Sequence, residues 1–378
     1  MLGVAMNTAQ PRAPLFVPDP ADVAATQMTA FTHALAAHVG RSFDDWESLH
    51  RFSVSDAETF HRFALDFFDL DVDGERTPAL RGERCEDARF FPGLRLSFAR
   101  NLLRGDPDGV ALVSVLEDGT RTETTRGALA VEVLAVASSL KRRGVGPGDR
   151  VVASATNTTA SVVACLATLA VGASWSSVAP TLGLDATLDR FEALRPKVLF
   201  AHTEVAAQGV RQDVAARARA RALVHALGGL ELVVALDGHA EALGDRAISL
   251  ADLVSEGKDG PLRRLDDLPT FPFDHPAYIL FSSGTTGRPK CIVHGAGGTL
   301  FEHVKEHRLH SDLRPGEKLF FQTAAGLELA RQRPRVAGHG RPLRGVGHPS
   351  LTRRALAARG ARGRQRLRHQ PRLLAVYT

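Results

Sequence analysis

Arg150 to Val178 reads RVVASATNTTASVVACLATLAVGASWSSV, and this stretch decides the fold. A short β-branched run at 150–155 gives way to Asn157, Thr158 and Thr159, side chains that cap helices. An apolar segment of helical length follows at 158–171, and then a second short run, 175–178. Short runs separated by a longer periodic one read as a β–α–β unit. No charge occurs from Val151 to Leu184, yet the apolar part, 160–173, falls short of the roughly 20 residues a bilayer requires. It predicts a buried core helix, not a membrane span.

The alternation extends in both directions. Upstream, a run at 110–115 precedes a helical pattern at 126–143; downstream come a helix at 185–194, a strand at 197–201, a helix at 205–226 and a strand at 231–236. Gly144 to Asp149 and Leu194 to Pro196 supply the joints between helix and strand. The predicted class is α/β with a partly parallel βα sheet. Before it, Ser55 and Glu58 form a capping-box pattern, and Phe60, Phe63, Ala64 and Phe67 recur at helical spacing as a core face. Residues 1–28, rich in Pro and Ala, read as a loose arm.

Composition narrows the function classes. With 378 residues the chain can bury a large core, and three well-separated cysteines, Cys85, Cys165 and Cys291, fit a reducing compartment better than a disulfide framework. The start lacks the basic and apolar pattern of a secretory leader, so the expected location is cytoplasmic. The formal net charge of +5 is uneven: residues 327–378 hold thirteen Arg, no Lys and one acid, Glu328, whereas the first 326 residues carry −7. A mildly acidic body offers no footprint for nucleic acid.

The chemistry concentrates after Tyr278-Ile279-Leu280-Phe281, a buried-strand pattern running into Ser282-Ser283-Gly284-Thr285-Thr286-Gly287-Arg288-Pro289-Lys290. Hydroxyls, two glycines and a lysine supply donors, conformational freedom and one positive charge, the set a polyphosphate needs. It is not a Walker A loop, because Lys290 is followed by Cys291 rather than Ser or Thr. A generic Ser/Gly/Thr cluster would be an ordinary solvated turn between strands.

Taken whole, Ser282 to Lys290 resembles the phosphate-binding signature of the adenylate-forming superfamily of acyl-CoA synthetases and luciferases. Lys290-Cys291-Ile292-Val293-His294-Gly295, Glu302-His303 with Lys305, and Asp312-Leu313-Arg314-Pro315-Gly316 resemble the acetoacetyl-CoA synthetase family within it, as do Phe90-Phe91-Pro92-Gly93, Asp189-Arg190-Phe191 and Pro196-Lys197-Val198-Leu199-Phe200. The resemblance spans about Pro14 to Ala325 and implies an ATP-dependent acid–thiol ligase. In that chemistry acetoacetate attacks ATP, with Mg2+ neutralising the phosphates, and CoA then displaces AMP from the acyl-adenylate. It implies catalytic roles for Lys290 and Thr285, and nucleotide binding by Ser282, Ser283, Gly284, Thr285, Thr286, Gly287 and Lys290. No metal ligands are assigned. The partners are small molecules: a short-chain carboxylate, ATP and CoA. Another short-chain acid, or a non-catalytic nucleotide-binding or interaction fragment, is the alternative.

The resemblance also divides the chain into a helical N-terminal region at 29–105, a partial AMP-binding domain at 106–326 and an Arg-rich tail at 327–378. Two departures stand out. Ser97-Phe98-Ala99-Arg100 replaces an Asn-Tyr-Ala-Glu run, and Ala179-Pro180-Thr181-Leu182-Gly183 replaces Ser-Pro-Asp-Phe-Gly. After Gly326 the likeness, the lysines and any strand or helix pattern stop together. A reading-frame slip accounts for this, because codons for Leu327 to Ala330 can give Trp-Asn-Trp one base on, and those for Leu367 to Val376 a second family-like string. On that reading the chain is a truncated, inactive form; the rival is an Arg-rich arm for a polyanion.

Two further motifs carry less. His303-Val304-Lys305-Glu306-His307 matches a zinc pattern, but Glu302, Lys305 and Glu306 make it an exposed charged helix face. Cys291 and His294 flank the loop and read as a buried small residue and a satisfied histidine rather than a nucleophile and its base.

Overall fold

The computed structural model describes residues 17–115, 120–207, 210–282, 289–320, 344–345 and 372–376. Four helices come first: α1 (Pro20–Ala24), α2 (Gln27–Val39), α3 (Trp46–Ser55) and α4 (Ala57–Phe67). The single turn of α1 lies inside the segment expected to be a loose arm. Asp19 caps it, accepting from the Ala21 amide at 2.8 Å, and Pro20 occupies a first-turn position where a missing N–H is harmless.

The capping box expected from Ser55 and Glu58 does not form. Ser55 ends α3, and the one-residue break moves the cap of α4 to Asp56, which accepts from the Thr59 amide at 3.1 Å. Glu58 instead takes the amides of Ala79 and Leu80 at 2.6 and 3.2 Å, tying α4 to the chain beyond it. The predicted core face holds. Phe60, Phe63 and Phe67 surround the fully buried Phe31 with ring centroids 5.8, 5.4 and 5.1 Å away.

Helix α5 (Phe98–Leu103) explains one departure from the family pattern. Ser97 caps it, as an Asn would, and Arg100 forks onto Asp71 at 2.5 and 2.9 Å. Strands β1 (Val110–Val115) and β2 (Arg121–Thr125) then pair antiparallel. The run at 110–115 is therefore not the first strand of the parallel sheet. The polar, Thr-rich β2 returns along it before α6 (Arg126–Arg142) begins.

From there the expected alternation appears: β3 (Arg150–Ser154), α7 (Thr159–Ala170), β4 (Ser174–Val178), α8 (Leu184–Phe191), β5 (Val198–Ala201), α9 (Asp213–Ala226), β6 (Leu232–Ala235), β7 (Ile248–Ser249), α10 (Leu250–Gly257), β8 (Pro276–Ser282), β9 (Lys290–Gly295) and α11 (Ala296–Lys305). Helix α9 starts later than the predicted 205. Two-residue strands, Ala206–Ala207 and Val210–Arg211, pair first, and Asp213 accepts from the Val205 amide at 3.0 Å.

The seven strands lie in the order β7-β6-β5-β3-β4-β8-β9, all parallel except β9. Alternate residues feed opposite faces. Val151 and Ala153 join the core that includes Val163 of α7 and Leu253 of α10, whereas Val152 packs with Phe191 of α8 and Leu223 of α9. Helix α10 lies tightly on α6: a Cβ on Gly257 would meet the Ala135 carbonyl at 1.8 Å, so only glycine fits there.

A second sheet holds β1 and β2 together with β10 (Lys318–Phe320), Arg344–Gly345 and Arg372–Val376. The last pairs antiparallel with β1, Leu373 opposite Ser114. Strand structure thus continues beyond Gly326, contrary to the sequence reading, because residues 372–375 pair in backbone register with β1.

Candidate functional site

Ligands of open α/β sheets collect at the carboxyl ends of the strands. On that rim, β8 runs parallel to β4, Tyr278 opposite Trp175, and both rings are buried to about 1% exposure. This firm base carries the strand outward to Phe281 and Ser282. Strand β9 returns antiparallel with Ser282 opposite Lys290. The fold therefore brings together the two ends of the predicted phosphate segment, with Lys290 exposed at the mouth of the pair. Ser283, Gly284, Thr285, Thr286 and Gly287 lie outside the described residues.

Cys291, expected to be buried, is exposed. It sits on β9, the last strand of the sheet, where Ile292 and Val293 are also 46% and 56% exposed. His294 is half-buried on the same strand. The three cysteines are free thiols.

Two arginines not assigned a role from the sequence act here, one on the strand end and one on the 179–183 segment. Arg190 of α8 lies over the Phe281 ring, 5.9 Å from its centroid. Phe281 packs in the same cluster as Leu182, Leu184 and Leu188, so the segment 179–183, where the sequence leaves the family pattern, adjoins the start of the phosphate segment. Arg219 of α9 donates to the Pro180 carbonyl of that segment at 3.0 Å. An arginine next to an aromatic at a strand end is the sequence signal that could have flagged the first of these.

Elsewhere on the rim the crevice is closed. Strand β3 leads to α7 on one face, whereas β4 and β5 lead to α8 and α9 on the other, which makes β3 the topological switch point. His202, 5% exposed at the end of β5, fills it. Its Nδ1 accepts from the Thr156 amide at 3.3 Å, so Nε2 carries the proton toward Thr158 Oγ1 at 3.2 Å. Ser161 Oγ closes the ring by donating to the Thr156 carbonyl at 2.6 Å. Burial lowers the His202 pKa to about 4 against the opposing charge of Asp237. That carboxylate accepts from the Thr203 and Glu204 amides, both at 2.6 Å, and from Thr203 Oγ1 at 2.9 Å. A neutral, fully bonded histidine is a plug rather than a base.

Among the described residues no group of three or more His, Cys, Asp or Glu could hold a metal. His303 and His307 have ring centroids 6.1 Å apart where α11 passes into a π-helical turn, Glu306–His310. No described helix is long and apolar enough to cross a membrane.

The family model described as AMP-binding enzyme matches residues 99–323. An acetoacetyl-coenzyme A synthetase of Rhizobium meliloti (strain 1021) is 40% identical over 322 residues, covering 84% of this chain and 48% of the relative. A malonamoyl-CoA synthetase of Penicillium aethiopicum is 34% identical over 317 residues, 79% of this chain and 43% of its own length. The solved acetoacetyl-CoA synthetase of Streptomyces lividans superposes with a TM-score of 0.78 at 34% identity, covering 84% of this chain and 49% of that one. The chain thus spans about half the length of the relatives it matches.

Proposed function

Because the chain belongs to the AMP-binding enzyme family, its sequence aligning along most of its length with acetoacetyl-CoA synthetases, we propose that it is the N-terminal part of an ATP-dependent acid–thiol ligase. Such a ligase condenses a short carboxylate with ATP to an acyl-adenylate and pyrophosphate, and passes the acyl group to CoA. The observation that carries this reading is the β8–β9 pair, which sets Ser282 and Lys290 opposite each other at the rim of a parallel sheet. There Lys290 is the cation that meets the β- and γ-phosphates, and Thr285 and Thr286 add hydroxyl donors. Gly284 and Gly287 give the turn its freedom, while Ser282 and Ser283 support it. A lysine placed so does most for the rate as negative charge grows on the departing pyrophosphate.

The acid is proposed as a short carboxylate with a carbonyl β to it. Two relatives are named for acids of that shape: acetoacetate and malonamate differ only in a methyl against an amino group. Magnesium is proposed to arrive with ATP as the substrate complex. The free thiols support a cytoplasmic setting.

The test is acetoacetate-dependent exchange of pyrophosphate into ATP. It would be measured on residues 1–326 joined to the remaining half of the Streptomyces lividans relative. Exchange with acetoacetate and malonamate above that with acetate is expected; exchange with none of them would overturn the reading. The 378-residue chain alone is proposed to bind ATP without turnover, as a nucleotide-binding fragment. Residues 327–378 are proposed to be out-of-frame translation, a reading supported by the family match ending at 323. Resequencing around the Gly326 codon tests it, and a confirmed frame without family-like sequence downstream would dismiss it.

A further inference from the structure

A cavity of about 780 Å³ lies between the N-terminal helices and α11. Its size lies within the range of small-molecule sites. The floor is aromatic and firmly held, since Phe31, Phe91, Phe273 and Phe301 are all at least nine-tenths buried. The rim is different. Val23, Trp46 and Phe90 line it with 44%, 78% and 37% of their surface exposed, an apolar concentration that the N-terminal core does not use.

Polar side chains share the wall with the phenylalanines, among them the histidines His33, His50, His61 and His310. His61 binds the Ala57 carbonyl through Nδ1 at 2.7 Å. A carbonyl only accepts, so the proton sits on Nδ1 and Nε2 becomes an acceptor on the side of the ring turned from the helix backbone. No described residue bonds Nε2. Burial lowers the pKa of this histidine, which keeps it in the accepting form at neutral pH. The charged lining residues are Asp44, Asp45, Glu302 and Lys305, and Lys305 is already paired with Glu302 at 2.9 Å. Asp44, Asp45 and the exposed Trp46 line the mouth together, and although Asp45 caps α3 by accepting from the Ser48 amide at 2.7 Å, both carboxylates bring negative charge beside an indole face. That combination suits a cation, through Coulomb attraction and through the quadrupole of the ring.

We propose that this cavity is a binding site for a cationic polycyclic aromatic molecule bearing an N–H donor. The ring system lies against the phenylalanines, the donor meets His61 Nε2, and the positive charge stays at the Asp44–Asp45–Trp46 mouth. The site is argued apart from the ligase reading, because none of its described lining residues belongs to the Ser282–Lys290 segment.

The 378-residue chain can be titrated calorimetrically with 9-aminoacridine, with acridine-9-carboxylate as the probe of opposite charge and acridine as the probe without the amino donor. Trp46 emission gives a second readout, since the chain's other tryptophan, Trp175, is 1% exposed in the core. Saturable binding of 9-aminoacridine is expected, at least about fivefold tighter than either comparison probe. Gly298 supplies a blocking variant: it lines the cavity on α11, and a Cβ there meets nothing within 4 Å. Gly298→Leu adds side-chain volume to that space while improving helix propensity. It should weaken binding at least about tenfold with no loss of helix content. His61→Phe, which keeps a ring but removes the acceptor, should reduce the advantage of 9-aminoacridine over acridine to the part its positive charge gains at the Asp44–Asp45–Trp46 mouth, because acridine is uncharged at neutral pH. Equal binding of the carboxylate, no effect of Gly298→Leu, or a Trp46 signal that changes with protein concentration in the absence of probe would each overturn the proposal. The last outcome would mark the groove as a contact between copies of the chain.

Discussion

Two points on the same rim of the parallel sheet, the His202 plug and the β8–β9 mouth, meet opposite fates. At the switch point both ring nitrogens of His202 and the hydroxyls of Thr158 and Ser161 are turned onto neighbours, and burial keeps the imidazole neutral. At the mouth, Lys290 is exposed and the adjoining strand β9 is apolar yet open to solvent. A crevice in the expected place is therefore not a site by virtue of topology alone. What qualifies the mouth is charge left available at the end of a strand whose root is immobilised. Ligand chemistry and stability should separate cleanly between the two points.

The largest expected effect is functional and falls on the mouth. In the joined ligase described above, Lys290→Ala should lower acetoacetate-dependent pyrophosphate exchange by about 10²–10³-fold, the range for removing one preorganised charge from a developing anion. The same change should move the urea midpoint by less than about 0.5 kcal/mol equivalent, because the side chain is exposed and away from the core. A large loss of stability with exchange intact would reverse the roles assigned to the two regions.

The plug should behave in the opposite way. His202→Ala removes a buried ring and leaves the Thr156 amide without its partner, so a loss of about 2–3 kcal/mol is expected by urea denaturation. Binding of ATP should change little once the protein is folded. The acid limb follows from the same residue. Its pKa is lowered from 6.5 in the unfolded chain to about 4 in the fold, so the unfolded state binds more protons between those values. Stability from this group is complete above pH 6.5 and drains away as pH falls toward 4, by up to ~1.4 kcal/mol for each pH unit. His202→Asn should flatten that limb. An unchanged slope would mean that the histidine already charges in the folded state.

The same contrast sets what could be read from the sequence. Residues 150–178 announced their unit because a fully buried strand and helix have lengths and compositions that solvent-facing segments lack, and the observed bounds differ by one residue at most positions. The strand β1 misled for a related reason: its apolar alternation says that it is a strand but not which sheet receives it, and the Thr-rich partner β2 has no apolar pattern of its own. Ser282 and Lys290 were legible as a motif. Their direct opposition was not, since register depends on pairing between β8 and β9 and not on spacing along the chain. His202 was invisible because its role comes from three segments, β3, α7 and β5, converging on one ring.

Arg190 tests whether the mouth depends on its surroundings, and the expected effect is the smallest. Its guanidinium lies over Phe281, one residue before the phosphate segment, and donates to the Ala186 carbonyl of its own helix. A stacked cation of this kind contributes about 0.5–1 kcal/mol. If it only packs, Arg190→Lys and Arg190→Gln should both cost that much stability and leave exchange kinetics alone. If it orients the end of β8, both variants should raise the KM for ATP by about two- to fivefold. Arg190→Lys would then recover little, because a compact ammonium cannot cover a ring face as a planar guanidinium does. A rise in KM with unchanged kcat would extend the functional mouth from the β8–β9 pair to α8. No kinetic change would confine it to the pair itself, with the packing of Phe281 onto the cluster that includes Val178, Phe191 and Ile279 sufficient to hold the strand end in place.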